Sequence, residues 1–149
     1  MSASGEFETF NQRIADAMLG SSDQGGGLPQ YLGVRLREMT PGRLVATMDV
    51  RADLITPIGA IHGGVMAGFV DHCLGCVLYP LMKPGQWAAT TEFKLNYLAP
   101  VRAGALVADS IVEALGKRTA VVRVEVKQDD RPVCLALGTL LVSDPPSKA

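Results

Sequence analysis

Residues 56–71, Thr-Pro-Ile-Gly-Ala-Ile-His-Gly-Gly-Val-Met-Ala-Gly-Phe-Val-Asp, are the stretch that decides the fold of this chain. His62, Gly63 and Gly64 open a long apolar segment in which Asp71 is the only acidic residue. A carboxylate inside an apolar helix costs free energy unless it is paired or used. Two glycines at a helix start leave backbone N–H groups open to a ligand, with the helix dipole behind them. The stretch therefore predicts a helix that carries a base and an oxyanion donor, the two groups that acyl transfer needs.

The spacing of Gly63 and Asp71 also predicts how the chain assembles. If 63–71 is helical, the rise of about 1.5 Å per residue separates the two residues by roughly 12 Å. A reacting carbonyl must lie about 3 Å from both the base and the oxyanion donor, which a single helix cannot provide. Two antiparallel copies of the helix can place Gly63 of one chain near Asp71 of the other. We therefore expect a homodimer with shared, paired sites.

The composition is that of one globular domain. The chain has 149 residues, of which 48% are hydrophobic and 19% are charged, and this length is sufficient for one core. A net charge of -1 gives no overall positive field that would attract nucleic acid or an anionic membrane. The apolar segment 60–82 contains Asp71 near its middle, which is expensive in lipid. We expect a buried helix and no membrane span.

Two features of the sequence favour a reducing, cytoplasmic location. The first eight residues lack the basic segment and the apolar run of a signal peptide. Cys73, Cys76 and Cys134 are an odd set, unlike the disulfide framework of a secreted domain.

Hydrophobic periodicity predicts two helices and about six strands. Residues 6–19 have apolar side chains at helical spacing, and the glycine-rich residues 20–27 are predicted to form a flexible loop. Residues 62–82 are apolar nearly all round, which is typical of a buried helix. The expected strands are 31–39, 43–50, 87–98, 105–115, 119–128 and 133–142, with turns at 40–43, 84–85, 116–117 and 129–132 and a frayed tail at 144–149. This order predicts an α+β fold in which a curved antiparallel sheet wraps one long central helix.

The segment 58–71 resembles the signature of hotdog-fold acyl-CoA thioesterases of the phenylacetate-pathway (PaaI-like) group, which includes one class of 4-hydroxybenzoyl-CoA thioesterases. Residues 90–100, Thr-Thr-Glu-Phe-Lys-Leu-Asn-Tyr-Leu-Ala-Pro, resemble the next strand and turn of that family. The resemblance implies one hotdog domain over 1–149, with an N-terminal helix and loop in 1–30, the hotdog core in 31–142 and a tail in 143–149.

The same resemblance implies roles for individual residues. Asp71 is expected to be the general base or the nucleophile, and Gly63 to present the N–H that polarises the thioester carbonyl. His62 is expected to shape the turn and support the site. Thr90 matches a position where relatives place a Ser or Thr that helps to hold the attacking water, with Thr91 as its neighbour.

Position 56 departs from the family pattern. Relatives usually carry Asn or Gln six residues before the histidine, whereas this chain has Thr56, whose hydroxyl has less reach than an amide. Water positioning or substrate preference is therefore expected to differ. The chain lacks the His-Phe-Pro pattern of hotdog dehydratases and the Asp-x-Asn-x-x-His pattern of hydratases, which disfavours a lyase.

Structural explanations compete with several of these roles. Asp71 could instead be paired at a dimer interface, and Gly63 and Gly64 could be glycines only because helices pack closely there. His62 could be a core histidine bonded to a loop carbonyl. Cys73 and Cys76 form a C-x-x-C pair in the middle of the predicted helix, where packing is favoured over a metal or redox role.

Contacts to the substrate are expected from residues near the turns. Gly64 and Thr91 are candidates close to the reacting group, and Trp87 and Tyr97 either line an acyl pocket or pack on the sheet. The phosphates of coenzyme A call for cations, although charged residues near turns are often simply solvated. The candidates are Lys94, Arg102, Lys117 and Arg118.

We therefore expect an acyl-CoA thioesterase that needs no metal or redox cofactor, because coenzyme A is part of its substrate. Its expected assembly is a homodimer that pairs into a homotetramer, a dimer of dimers, without nucleic acid or membrane partners. The alternative from another class is a non-catalytic acyl-CoA-binding or scaffold protein of the same fold, which Thr56 favours.

Overall fold

The protein is a six-stranded antiparallel sheet packed around one central helix. The computed structural model describes residue 7 and residues 9–145. In chain order the elements are α1 (Gln12–Ser21), α2 (Gly27–Leu32), β1 (Arg35–Thr40), β2 (Arg43–Val50), α3 (Gly63–Cys76), β3 (Trp87–Tyr97), β4 (Gly104–Leu115), β5 (Thr119–Gln128) and β6 (Arg131–Ser143). The strand order is β1-β2-β4-β5-β6-β3. The predicted α+β architecture with one central helix and about six strands is confirmed.

The central helix begins where the sequence predicted and ends earlier. α3 starts at Gly63 and stops at Cys76, followed by a short 3-10 turn over Tyr79–Leu81. The predicted end at residue 82 is wrong, because Pro80 has no N–H to donate and its ring clashes with the carbonyl one turn earlier. The apolar residues after Cys76 misled the prediction, because they are buried without belonging to the α-helix; they are Val77, Leu78, Pro80, Leu81 and Met82.

The N-terminal region differs most from its prediction. α1 starts at Gln12 instead of residue 6, because the side chain of Asn11 accepts a hydrogen bond from the N–H of Ile14 and caps the helix there. Phe7 and Phe10 precede the helix and pack against the core. Residues 6 and 8 of the predicted helix, and residues 146–149 of the predicted tail, lie outside the described residues.

A short helix occupies part of the region predicted as loop and strand. α2 covers Gly27–Leu32, so the strand predicted to begin at residue 31 begins at Arg35. Gly33 closes α2 at φ 76° and donates its N–H to the carbonyls of Gln30 and Pro29; this left-handed conformation suits glycine. Leu28 and Leu32 pack on Gly68 of α3. Six residues are too few for a helical period to stand out in the sequence.

The strands and turns follow the prediction closely. Pro41 and Gly42, at φ 73°, form the turn between β1 and β2, as expected for Pro-Gly at the centre of a turn. The last hairpin turns on Asp129 and Asp130 alone, both at positive φ, so the predicted four-residue turn at 129–132 is two residues shorter. Pro132 instead lies at the start of β6, where a register shift accommodates it.

Apolar residues on one face of the sheet and on α3 form the core. α3 buries Met66, Phe69, Val70, Cys73, Leu74 and Cys76. Alternate residues of the central strands face it, as the period of two in a strand requires; they include Leu44, Met48, Leu106, Ala108, Val122, Val124 and Leu140. The stretch 63–81, formed by α3 and the turns after it, is long and apolar enough to span a membrane, a property shared by core helices, and 56% of its 18-residue apolar window is buried inside the protein.

Gly138 of β6 packs closely against Leu74 of α3, and this contact gives the first prediction. A Cβ atom built on Gly138 lies 2.9 Å from Cδ1 of Leu74 and 2.9 Å from Cβ of Phe93. We expect Gly138→Ala to lower the free energy of unfolding by about 1–3 kcal/mol, because the core must open to admit the methyl group. Urea denaturation measures the change. Gly20→Ala is the matched control, because nothing lies within 4 Å of its Cβ position; equal stability of the two variants would contradict the prediction.

Candidate active site

The N-terminus of α3 has one backbone N–H left for a ligand. His62 is the N-cap, and its Nδ1 accepts a hydrogen bond from the N–H of Gly64 at 2.9 Å. The N–H of Val65 donates to the carbonyl of His62 at 2.9 Å. The N–H of Gly64 is therefore engaged within the helix cap, and contact of Gly64 with substrate stays a prediction. Among the described residues the N–H of Gly63 has no acceptor, as expected at the first position of a helix.

Tyr97 of β3 holds this helix start against the sheet. Its Oη donates a hydrogen bond to the carbonyl of Gly63 at 2.8 Å. A Cβ atom at position 63 would lie 2.8 Å from that same Oη, so only glycine fits while Tyr97 keeps its place. The sequence left Tyr97 between an acyl pocket and sheet packing, and the structure gives it this third role. The sequence signals this role only by an aromatic residue near the end of a predicted strand.

Asp71 lies on an open face of α3. Gly64, Ala67, Gly68, Asp71 and Gly75 are spaced three or four residues apart and share this face. α2 borders the face at Gly68, and β3 borders the helix at Gly63. The Asp71 side chain is exposed, and within the described part of the chain it has no hydrogen bond or ion pair. The carboxylate and the Gly63 N–H thus lie on one helix, roughly 12 Å apart along its axis.

Thr90 and Thr91 lie at a bulge in β3. Thr90 pairs with Leu140 and Glu92 with Thr139, which leaves Thr91 without a partner of its own. Residues directly opposite each other share a face of the sheet, so Thr90 lies on the face of the buried Leu140 and of α3. Thr91 donates its hydroxyl to the carbonyl of Thr139 at 2.9 Å. Of the two threonines, Thr90 is the one directed towards the helix.

Thr56 closes a tight loop just before α3. Its N–H and its Oγ1 both donate to the carbonyl of Ala60, at 2.8 and 2.9 Å. Arg102 supports the loop from the β3–β4 connection by donating to the carbonyl of Gly59 at 2.9 Å. Ile58 at the loop tip is 82% exposed. The Thr56 hydroxyl has therefore already committed its proton and keeps only acceptor capacity for other partners.

The bonds of Thr56 give the second prediction. We expect Thr56→Val to lower the free energy of unfolding by about 1 kcal/mol, because the carbonyl of Ala60 loses one of its two donors. Thr56→Ser keeps the hydroxyl and is the control. Chemical denaturation of both variants measures the loss, alongside their turnover of acyl-CoA. Wild-type stability for Thr56→Val would contradict a structural role of the hydroxyl.

The predicted phosphate-binding cations do not meet within one chain. Arg102 precedes β4, whereas Lys117 and Arg118 follow its other end. The twelve residues of β4 separate the two groups by roughly 36 Å. Lys94 alternates with the inward Phe93 and Leu95, so it lies on the outer face of the sheet. Trp87, which is about half exposed, lies at the Lys117 end, far from Tyr97.

The cysteines are buried free thiols. Burial raises the pKa of Cys76 to about 12 and that of Cys134 to about 11, and it raises the pKa of Cys73 as well. Such thiols are protonated at neutral pH and are poor nucleophiles and metal ligands. Within residues 7 and 9–145, no group of three His, Cys, Asp or Glu side chains could hold a metal ion.

An antiparallel sheet of six strands wrapped around one central helix is the architecture of hotdog-fold thioesterases. The comparisons with known proteins agree. The model of the thioesterase superfamily matches residues 58–135, which is half of the chain and contains both groups. The chain belongs to the thioesterase superfamily, and it is a thioester hydrolase by family.

Individual relatives are similar over most of their length. A provisionally named esterase of Pasteurella multocida is 30% identical over 115 residues, which are 76% of this chain and 83% of that protein. The 1,4-dihydroxy-2-naphthoyl-CoA hydrolase of Listeria monocytogenes is 24% identical, over 78% of this chain and 95% of its own. The Escherichia coli PaaI protein superposes with a TM-score of 0.79 and 25% identity, over 90% of this chain and 94% of its own.

Proposed function

We propose that the protein hydrolyses acyl-CoA thioesters to a free acid and coenzyme A, at sites that combine Gly63 of one protomer with Asp71 of another. One observation carries this proposal: α3 presents an open N–H and an exposed carboxylate roughly 12 Å apart on the same helix. A thioester carbonyl must lie about 3 Å from both groups. A second, antiparallel copy of α3 meets this requirement, and each pair of helices then forms two equivalent sites.

Two surfaces favour such a dimer. The open face of α3 is built from small residues around Asp71, so a second helix can approach closely. β3 pairs with β6 alone in the described part of the chain, which leaves an eleven-residue edge unpaired. A long free edge offers unpaired N–H and carbonyl groups to another strand. Pairing of β3 with its copy would join two sheets and bring the two α3 helices together.

In the proposed reaction, the thioester carbonyl oxygen accepts a hydrogen bond from the Gly63 N–H, which stabilises the oxyanion as it forms. The Asp71 carboxylate takes a proton from water while the water oxygen bonds to the carbonyl carbon. The carbon–sulfur bond then breaks, and the coenzyme A thiolate leaves and is protonated. In the alternative route Asp71 attacks directly, and water hydrolyses the resulting anhydride. Thr90 is the candidate to hold the water in either route.

We propose that coenzyme A binds to the same oligomer, across more than one protomer. Arg102 lies near the α3 start and is the candidate cation closest to the reacting group. Lys117 and Arg118 can reach the same coenzyme A only from a different protomer, because β4 separates them from Arg102. This separation is a reason to propose a dimer of dimers. The reaction requires no other cofactor, and we propose that it takes place in the cytoplasm.

A panel of acyl-CoA substrates with detection of the released thiol tests the proposed activity. Light scattering on the same sample tests the assembly, and we expect a dimer or a tetramer. A monomer that hydrolyses acyl-CoA at full rate would contradict the shared site.

The alternative is a non-catalytic protein that binds acyl-CoA. The engagement of the Thr56 hydroxyl with Ala60 favours it, because relatives usually carry an amide at this position and a committed hydroxyl can replace only part of what that amide does. Binding of acyl-CoA by calorimetry, together with no thiol release across the panel, would support this alternative over hydrolysis.

A further inference from the structure

The peptide group between Gly63 and Gly64 is held at both ends by side chains. Its carbonyl, on Gly63, accepts a hydrogen bond from Oη of Tyr97 at 2.8 Å. Its N–H, on Gly64, donates to Nδ1 of His62 at 2.9 Å. One of these side chains belongs to β3 and the other to the residue that precedes the helix. The orientation of this peptide group is therefore fixed from two sides.

The same two side chains explain why both positions are glycines. A Cβ atom on Gly63 would lie 2.8 Å from Oη of Tyr97, and a Cβ atom on Gly64 would lie 3.1 Å from Nδ1 of His62. Glycine is the most flexible residue, and the first N–H groups of a helix have no acceptor within the helix. A peptide group between two glycines at a helix start would therefore change its orientation easily if no side chain held it.

Hydrogen-bonded backbone supports each of the two side chains. Tyr97 pairs with the buried Cys134 of β6. The N–H of His62 donates to the carbonyl of Leu54 at 3.0 Å. Groups that are anchored in this way can hold a functional group in place more precisely than groups on a mobile loop.

The two hydrogen bonds also define which atoms carry the protons. A backbone N–H can only donate, so Nδ1 of His62 accepts and the neutral ring carries its proton on Nε2. A carbonyl can only accept, so the Tyr97 hydroxyl donates. Hydrogen bonds that follow one another in this way polarise each other. Tyr97 is thereby connected to His62 through a single peptide group.

We propose that Tyr97 is a positioning residue for hydrolysis and acts through the Gly63–Gly64 peptide on the Gly63 N–H. The inference rests on the proposed hydrolysis of acyl-CoA, in which this N–H stabilises the oxyanion. The Gly63 N–H belongs to the preceding peptide group, which shares the Cα atom of Gly63 with the held one, so rotation of the held group would reorient this N–H. A preorganised donor contributes most in the transition state. Loss of the Tyr97 hydroxyl should therefore lower kcat more than it changes KM.

Steady-state kinetics of Tyr97→Phe test this role, because the substitution removes the hydroxyl and keeps the ring. Tyr31→Phe is the matched control, since Tyr31 is equally exposed and its hydroxyl bonds to Asp53 instead. We expect Tyr97→Phe to lower kcat for acyl-CoA about threefold to tenfold, the effect of one hydrogen bond, with KM changed by less than about twofold. Tyr31→Phe should change neither constant. A wild-type kcat in Tyr97→Phe, or a change in KM alone, would overturn the proposal.

A double substitution tests whether Tyr97 and His62 act on the same peptide group. If both bonds are needed to hold it, the loss of the second adds little once the first is gone. We expect Tyr97→Phe combined with His62→Ala to lower kcat by less than the product of the two single losses. His62→Asn is the control, because asparagine can still accept from the Gly64 N–H as an N-cap. A loss equal to the product would show that the two side chains act independently and would contradict the proposal.

Hydrogen exchange of the free protein distinguishes this role from a general loss of stability. NMR measures the exchange rate of the Gly64 amide in the absence of substrate. We expect Tyr97→Phe to raise this rate at least about threefold while the amides of β5 exchange as in the wild type. Equal acceleration at Gly64 and in β5 would show a merely structural role and would refute the proposal. Absence of thiol release in the wild type would instead refute the proposed hydrolysis, and the Gly64 exchange rate would still decide whether Tyr97 holds the peptide group.

Discussion

Asp71→Asn is expected to lower kcat for acyl-CoA hydrolysis by about 10²–10⁴, the usual range for loss of a general base. Asparagine has nearly the same shape as aspartate, but its amide neither accepts the proton of water nor attacks a thioester. The substituted side chain is exposed and has no partner in the described part of the chain, so the fold should not change. Thiol release under saturating acyl-CoA measures the loss.

Binding and stability distinguish a lost base from a damaged protein. Calorimetric affinity for acyl-CoA and the denaturation midpoint of Asp71→Asn should match those of the wild type. Asp49→Asn is a suitable control, because Asp49 is an exposed carboxylate on β2 that, within the described residues, also has no hydrogen bond or ion pair. Unchanged thiol release in Asp71→Asn would show that Asp71 takes no part in the reaction and would refute the proposed mechanism.

Mixing two inactive variants is expected to restore activity. One parent carries Asp71→Asn, and the other carries Gly63→Pro, which removes the N–H at a helix position that otherwise tolerates proline. Since the new Cβ would lie 2.8 Å from the Tyr97 hydroxyl, the proline chain also carries Tyr97→Phe. A hybrid dimer then has one intact site formed by Asp71 of the proline chain and Gly63 of the asparagine chain. With random mixing, about a quarter of the wild-type activity should return.

The complementation experiment has its own controls. Each parent measured alone gives the residual activity before mixing. A chain with Tyr97→Phe alone gives the effect of that substitution on activity. A chain that carries Asp71→Asn and Gly63→Pro together, mixed with the asparagine parent, should stay inactive because no hybrid contains a complete site. If subunit exchange is verified by mass spectrometry and no activity returns in the first mixture, the two groups do not act across a shared interface.

The elements that the sequence predicted well are those whose pattern repeats over many residues. β5 alternates along its whole length, so its predicted bounds agree with the observed Thr119–Gln128. The N-cap His62 and the two glycines after it are visible in the sequence, so the start of α3 was predictable to within one residue. The end of α3 was not predictable, because Val77 and Leu78, which follow the helix and are also buried, are as apolar as the helix itself. α2 is too short to show a period, and its packing partner Gly68 lies far away in the chain.

The candidate site likewise has features that could be predicted from the sequence and features that could not. Gly63 and Asp71 could be proposed from their spacing, because helix geometry fixes the distance between them. The hydrogen bonds at the helix start could not be predicted from the sequence. They depend on the orientation of the His62 ring, which accepts from the Gly64 N–H, and on Tyr97 of β3, which donates to the Gly63 carbonyl. The first contact depends on the orientation of a side chain, and the second depends on tertiary structure. The position of Thr90 at a bulge likewise depends on how β3 pairs with β6.

The free edge of β3 has a consequence for handling the protein in solution. If β3 pairs with its copy as proposed, this edge of eleven residues, Trp87–Tyr97, returns to solvent whenever the copies separate. Association then contributes to the stability of the fold by mass action, so dilution should lower the midpoint of thermal unfolding. The separated chains would expose a template for irregular strand addition, and aggregation on heating should begin from this edge.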